Sequence, residues 1–172
     1  LGGGITIGAH RRGRVIDCTH GLSEGPFTPE RAGSLPTLEL AEFAHAAKLA
    51  PKDLQRKLVG QGGLAAYLGT TDAIAIESAI DKGDEKATFI YQAMAYQIAK
   101  DIGAMATVLS GQLDGIVLTG GLAHSKRLVG WITARVQFIA SVFLYPGEDE
   151  MAALAEGALR VLLGQEAVQP HQ

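Results

Sequence analysis

Thr119, Gly120, Gly121 and Leu122 end an apolar run that starts at Gly115, and a helix-like segment follows them. Paired glycines at a strand-to-helix turn let the backbone approach a nucleotide, since the open end of an α/β sheet is where such ligands bind. The same pair also suits an ordinary tight turn. At the other end of the chain, Gly2, Gly3 and Gly4 precede a second strand-like segment. Lacking Cβ atoms, they can bring backbone amides onto a phosphate, or they can be a run of flexible residues. Arg31 sits in Pro29, Glu30, Arg31, Ala32, Gly33, a loop too rich in proline to be a solvated helix face. A guanidinium held rigidly there can stabilise a phosphoryl group in transfer, or it can pair with Glu24 or Glu30. In Pro146, Gly147, Glu148, Asp149, Glu150, three carboxylates open a helix, where they either hold Mg²⁺ through water or complement the helix dipole. Asp149 also suits a simple cap. Two glycine turns, each beside a strand, point to a nucleotide-dependent enzyme.

Other reactive residues form no set. His10, His20, His45, His124 and His171 are scattered, with no pair at metal-ligand spacing. His10 ends the first strand, where it can face a cleft. Cys18 is the only cysteine, so no internal disulfide or thiolate zinc site can form, and it reads as a small buried hydrophobe. The expected compartment is the reducing cytoplasm.

Composition narrows the class. A chain of 172 residues is one domain's length and should bury about 70% of the surface its unfolded form exposes. It is 47% hydrophobic and 19% charged, with mean hydropathy +0.16, but charged residues or glycines interrupt every apolar span of membrane length. No membrane partner is expected. A net charge of −3 with dispersed basic residues gives no footprint for nucleic acid.

Several elements must position these residues. Segments 5–9 and 14–18, rich in β-branched residues, flank Arg11, Arg12 and Gly13 as an antiparallel hairpin would. Between Thr19 and Thr37 the prolines and glycines leave a loop, or a third, irregular strand near Phe27. A helix capped by Thr37, with Leu40, Phe43, Ala44 and Ala47 at helical spacing, and a short helix after Pro51 read as an insert. Gly60, Gly62 and Gly63 break the chain, a helix covers 72–80, and Asp84 caps a long helix running to about Ser110. That helix is apolar on most faces and is expected to be heavily buried. Strand 115–119, helix 125–138, strand 141–145 and helix 149–163 complete an α/β alternation with parallel crossovers. The tail 165–172 lacks periodicity.

The ordered motifs LGGGITIGAH, GRVID, GPFTPERAGSLP, GGLAAYLGTTDA, LTGGLAHS and YPGEDEMAALAEGALRVL together resemble the acetate and butyrate kinase family, on its butyrate kinase side. The likeness runs from Leu1 to about Leu163. It implies an actin-like, sugar kinase and heat-shock chaperone lobe of the order βββαβαβα with a helical insert. Residues 1–164 would be the C-terminal lobe, with the insert at 37–82, partnered by an N-terminal lobe that this sequence lacks. The implied reaction is reversible phosphoryl transfer between ATP and a short-chain carboxylate such as butyrate, with Mg²⁺, in a homo-oligomer. On this resemblance Gly2, Gly3 and Gly4 match the phosphate-binding hairpin, and Gly120 and Gly121 the adenosine loop. Arg31 matches the arginine on the transferring group, Asp149 or Glu150 the carboxylate that positions Mg²⁺, and Asp72 an acidic residue near the nucleotide. The family has a catalytic histidine immediately before LGGG, a position just ahead of Leu1, so the chain alone is expected to be inactive. Ile74 stands where the family has an arginine, which leaves open a non-catalytic nucleotide-binding module.

Overall fold

A computed structural model of the chain describes residues 1–147 and 150–168. β1 (Gly8–Arg11) and β2 (Arg14–Cys18) pair antiparallel around a two-residue turn, as the hairpin signal predicts. The first strand is shorter than expected. Residues 5–7 run ahead of β1, still tied to the hairpin by the Thr19 amide donating to the Ile7 carbonyl at 2.9 Å. The register slips between Ala9 and His10, where a bulge re-aims the strand. β2 has no neighbour on its outer side and is exposed along its length, so Cys18 is a surface thiol rather than a core residue.

The third strand is reduced to one bridge between Arg31 and Val59, because the prolines and glycines of 19–37 cannot sustain a ladder. Four helices follow: α1 (Thr37–Ala46), α2 (Pro51–Leu58), α3 (Gly63–Leu68) and α4 (Ala73–Asp81). Pro36, not Thr37, occupies the cap of α1 and makes no side-chain cap bond. Neither α1 nor α2 buries a residue, whereas α3 and α4 place Leu64 and Ile76 in the core. α3 was not expected, since its glycine start reads as a chain break.

The core forms on α5 (Glu85–Val108), which is capped by Asp84 accepting from the Ala87 amide at 2.9 Å. Tyr91, Met94, Ala95 and Ile98 are buried on one face, while Phe89 and Tyr96 are exposed on the other, so the helix is buried on one side only. It stops at Val108, two residues early. β3 (Ile116–Gly120) and β4 (Val142–Pro146) pair in parallel, from Ile116↔Val142 to Gly120↔Pro146. Parallel neighbours need a crossover, and α6 (Lys126–Val136) supplies it, packing Leu128, Ile132 and Val136 into the core with α5. α7 (Glu150–Leu162) closes the order; of the expected tail 165–172, residues 165–168 form neither helix nor strand and 169–172 lie outside the described residues. Between the hairpin and β3 lies an apolar cleft of about 450 Å³, with His10 among its lining residues. No helix of the described residues is long and apolar enough to cross a membrane.

Candidate functional site

Thr28 organises the first glycine cluster. It is 1% exposed, and its hydroxyl donates to the Gly3 carbonyl at 2.6 Å while accepting from the amide of Arg31 at 3.0 Å. Its own backbone closes the loop, with the Thr28 amide on the Arg31 carbonyl at 2.9 Å and the Leu64 amide on the Thr28 carbonyl at 3.0 Å. The Phe27 amide donates to Gln97 Oε1 on α5 at 3.1 Å. These bonds pair the Thr28 hydroxyl and the loop's backbone, which is what holds an irregular segment in one conformation. Thr28 was missed from sequence; its signal was a threonine between Phe27 and Pro29, a polar residue inside an otherwise enclosed loop.

This scaffold delivers Arg31 onto the glycines. A Cβ on Gly4 would overlap the guanidinium Nη1 and lie 2.6 Å from Cζ, so the guanidinium would have to leave this position beside any other residue. Nη1 donates to the Gly21 carbonyl at 2.7 Å. The expected pairing with Glu24 or Glu30 does not occur. Glu24 accepts instead from the His20 amide at 2.7 Å, and no carboxylate among the described residues pairs with Arg31. The Arg31 Nε is buried without a hydrogen-bond partner. A partly enclosed cation with spare donors and no fixed anion is suited to receive one.

The second glycine cluster meets the first at Leu1. The Leu1 nitrogen donates to the Thr119 carbonyl at 2.8 Å, and the Leu122 amide donates to the Leu1 carbonyl at 3.0 Å. Gly120 has φ +91°, and a Cβ there would overlap the Leu1 carbonyl oxygen. Glycine is therefore required at 120 first by this close approach of two backbones. Gly121 then opens a single 3₁₀ turn, Gly121–His124, which leads into α6. The fold thus places Gly2, Gly3, Gly4, Arg31, Gly120 and Gly121 along one continuous backbone junction.

Asp72 has a different local task. It is exposed and caps α4, accepting from the Ile74 amide at 2.9 Å, and Ile74 itself is 82% exposed. Further along α4, Glu77 accepts hydrogen bonds from Ser125 and, at 3.4 Å, from the Tyr91 hydroxyl. Ser125 also accepts from the Leu128 amide at 2.9 Å, capping α6. Burial pushes the Tyr91 phenol from an ordinary 10.0 up to about 12, with the neighbouring Glu77 charge acting in the same direction. Because the folded value lies above the unfolded one, this contribution is intact below 10.0 and declines as pH rises toward 12. Unfolding midpoints in urea, followed from about pH 8 upward, should fall less steeply in Tyr91→Phe than in the unmutated protein.

The acidic run contributes less. Asp149 lies outside the described residues, and Glu150 is placed only as the first residue of α7. Among the described residues no three His, Cys, Asp or Glu side chains gather to hold a metal.

Comparison with known proteins identifies the family and the fold. Residues 1–139 match the family model described as the Acetokinase family. Among solved structures, the chain is similar to an acetate kinase from Porphyromonas gingivalis, with TM-score 0.83 and 23% identity over 94% of this chain and 47% of that one. A propionate kinase from Francisella tularensis gives TM-score 0.79 and 19% identity over 88% of this chain and 45% of that one. An acetate kinase from Entamoeba histolytica gives 0.79 and 18% over 92% and 50%. The chain therefore has the actin-like kinase fold and spans about half the length of the solved structures it matches.

Proposed function

The chain belongs to the acetokinase family, and on that premise we propose that it is the C-terminal lobe of a two-lobed kinase for short-chain carboxylates, with butyrate or a branched-chain acid as acceptor. Residues 1–164 form the lobe, and the insert at 37–82 lies within it. The acceptor preference rests on the ordered motifs from LGGGITIGAH to YPGEDEMAALAEGALRVL. The observation that carries the reading is the seat of Arg31 over Gly4, with no carboxylate partner among the described residues.

In the acyl phosphate-forming direction, a carboxylate oxygen attacks the terminal phosphorus of ATP. A new O–P bond forms as the bond to the β,γ-bridging oxygen breaks, and ADP leaves with the electron pair. A carboxylate is already a nucleophile, so no strong base is needed; alignment and charge neutralisation are the tasks. Arg31 holds the phosphoryl oxygens, Gly2, Gly3 and Gly4 bring the backbone close to the phosphates, and Gly120 and Gly121 border the nucleoside. Asp72 stands near the nucleotide. Mg²⁺ supplies phosphate charge neutralisation when bound, and Asp149 and Glu150 are the residues proposed to approach it. Exposed Met151, Leu154 and Leu162 on α7 favour a covered face in a homo-oligomer or against the other lobe. The single cysteine fits a cytoplasmic setting.

The complete two-lobed protein, given butyrate, ATP and hydroxylamine, should yield butyryl hydroxamate. Acetate, propionate and isobutyrate measured in parallel would rank the acceptors. The second reading, a nucleotide-binding module without catalysis, is favoured by exposed Ile74 in place of an arginine. Calorimetric ADP binding with no hydroxamate from any of the acids would select it.

A further inference from the structure

We propose that Glu77 is a positioning residue for the nucleotide loop, locking the turn at 121–124 to α4; this rests on the nucleotide reading above. Ser125 is the residue through which the lock acts. Its hydroxyl is used in both senses, donating to Glu77 and accepting from the Leu128 amide, so the carboxylate sets the orientation of the group that starts α6. The Ser125 amide in turn donates to the Leu122 carbonyl at 3.1 Å, which ties the cap directly to the loop.

The same carboxylate oxygen receives Tyr91, which is 0% exposed on α5, so three helices meet at one acceptor. One turn along α4, Asp81 accepts from Arg127 at 2.6 Å and gives a second tie between α4 and α6. Two fastenings, at 77 with 125 and at 81 with 127, prevent the start of α6 from sliding along α4. A partly buried carboxylate is a costly way to fill space, since apolar side chains pack there more favourably. What it adds is direction, because an acceptor fixed on α4 dictates where Ser125 must stand. The glycines at 120 and 121 are held from the other side by Leu1.

Glu77→Ala in the complete protein should weaken ADP binding about tenfold and raise the nucleotide KM with it, leaving the carboxylate KM unchanged. Glu77→Gln keeps an amide oxygen able to accept both hydroxyls and should return ADP affinity to within about threefold of the original. Ser125→Ala, which also removes the cap on the Leu128 amide, should weaken ADP binding at least as much as Glu77→Ala, and the double variant should bind ADP no worse than Ser125→Ala, since the Glu77 effect on ADP passes through Ser125. Ser125→Ala carries the same test if Glu77→Ala does not fold. Trp131, whose ring stands 6.0 Å from Tyr91 in an edge contact, reports the state of the junction by fluorescence. A Glu77→Ala protein that loses stability but binds ADP as tightly as before would overturn the lock, as would additive effects of the two substitutions. Absence of ADP binding in the unmutated protein would instead remove the nucleotide reading, and the role of Glu77 with it.

Discussion

Replacing Arg31 with alanine in the complete protein is expected to reduce acyl phosphate formation by about 10³-fold or more while the protein stays folded. The size follows from position. The guanidinium lies against Gly4, is anchored through one bond to the Gly21 carbonyl, and meets no carboxylate among the described residues. Such a charge acts on phosphoryl oxygens most strongly as they move between donor and acceptor, so kcat should fall more than nucleotide affinity. Stability should change little. The single bond to Gly21 contributes about 1 kcal/mol, and removing the unpartnered Nε offsets part of that. Arg31→Lys should recover only part of the rate, because an ammonium cannot present the planar fork of donors. The check is hydroxamate formation alongside a urea unfolding curve. A rate near the original in folded Arg31→Ala would remove Arg31 from the reaction.

Gly63→Ala is expected to cost about 3 kcal/mol or more, the largest stability effect of any single change considered. Two penalties add. Gly63 has φ +59°, which disfavours any residue with a Cβ by about 1 kcal/mol. The added Cβ would also overlap the Thr28 carbonyl oxygen and stand 2.7 Å from that of Arg31, both backbone atoms of the tightest loop in the site. Those atoms cannot yield without breaking the Leu64 bond to Thr28 and the Thr28 bond to Arg31. Gly69→Ala is the control. Its φ is similar at +73°, but no atom lies within 4 Å of the new Cβ, so about 1 kcal/mol should be lost there. Equal losses at both positions would mean that backbone conformation alone explains Gly63. Activity should decline with Gly63→Ala and not with Gly69→Ala, since only the former displaces the loop that carries Arg31.

Much of the architecture was legible because its causes are local. Asp84 was readable as a cap from its place before an apolar-periodic segment, and the hairpin from β-branched runs around a short basic turn. The crossover was readable from the alternation of strand and helix after Gly111. The departures from this reading have physical causes too. Thr37 displays a capping residue type, but the helix already includes it and Pro36, with φ −57° and ψ 119°, stands at the cap. α3 escaped notice because a helix opening on glycine reads as a break, and its start is dictated by Thr28 and Pro29 carbonyls that accept from the Leu64 and Ala65 amides. Cys18 reads as buried from its residue type, but it ends the outer strand of a two-stranded sheet and is exposed.

The sequence by itself determined the hairpin, the long helix α5 and the strand and helix alternation after Gly111, and which residue types stand ready for phosphate chemistry, because those properties depend on neighbours a few positions away. Tertiary structure alone decided that Gly4 makes room for Arg31, that Gly120 makes room for Leu1, and that Glu77 meets Ser125. Each pair is separated by tens of residues or more. A long-range contact is selected by the packing of the whole core around α5, and the two residues that make it carry no local mark of one another.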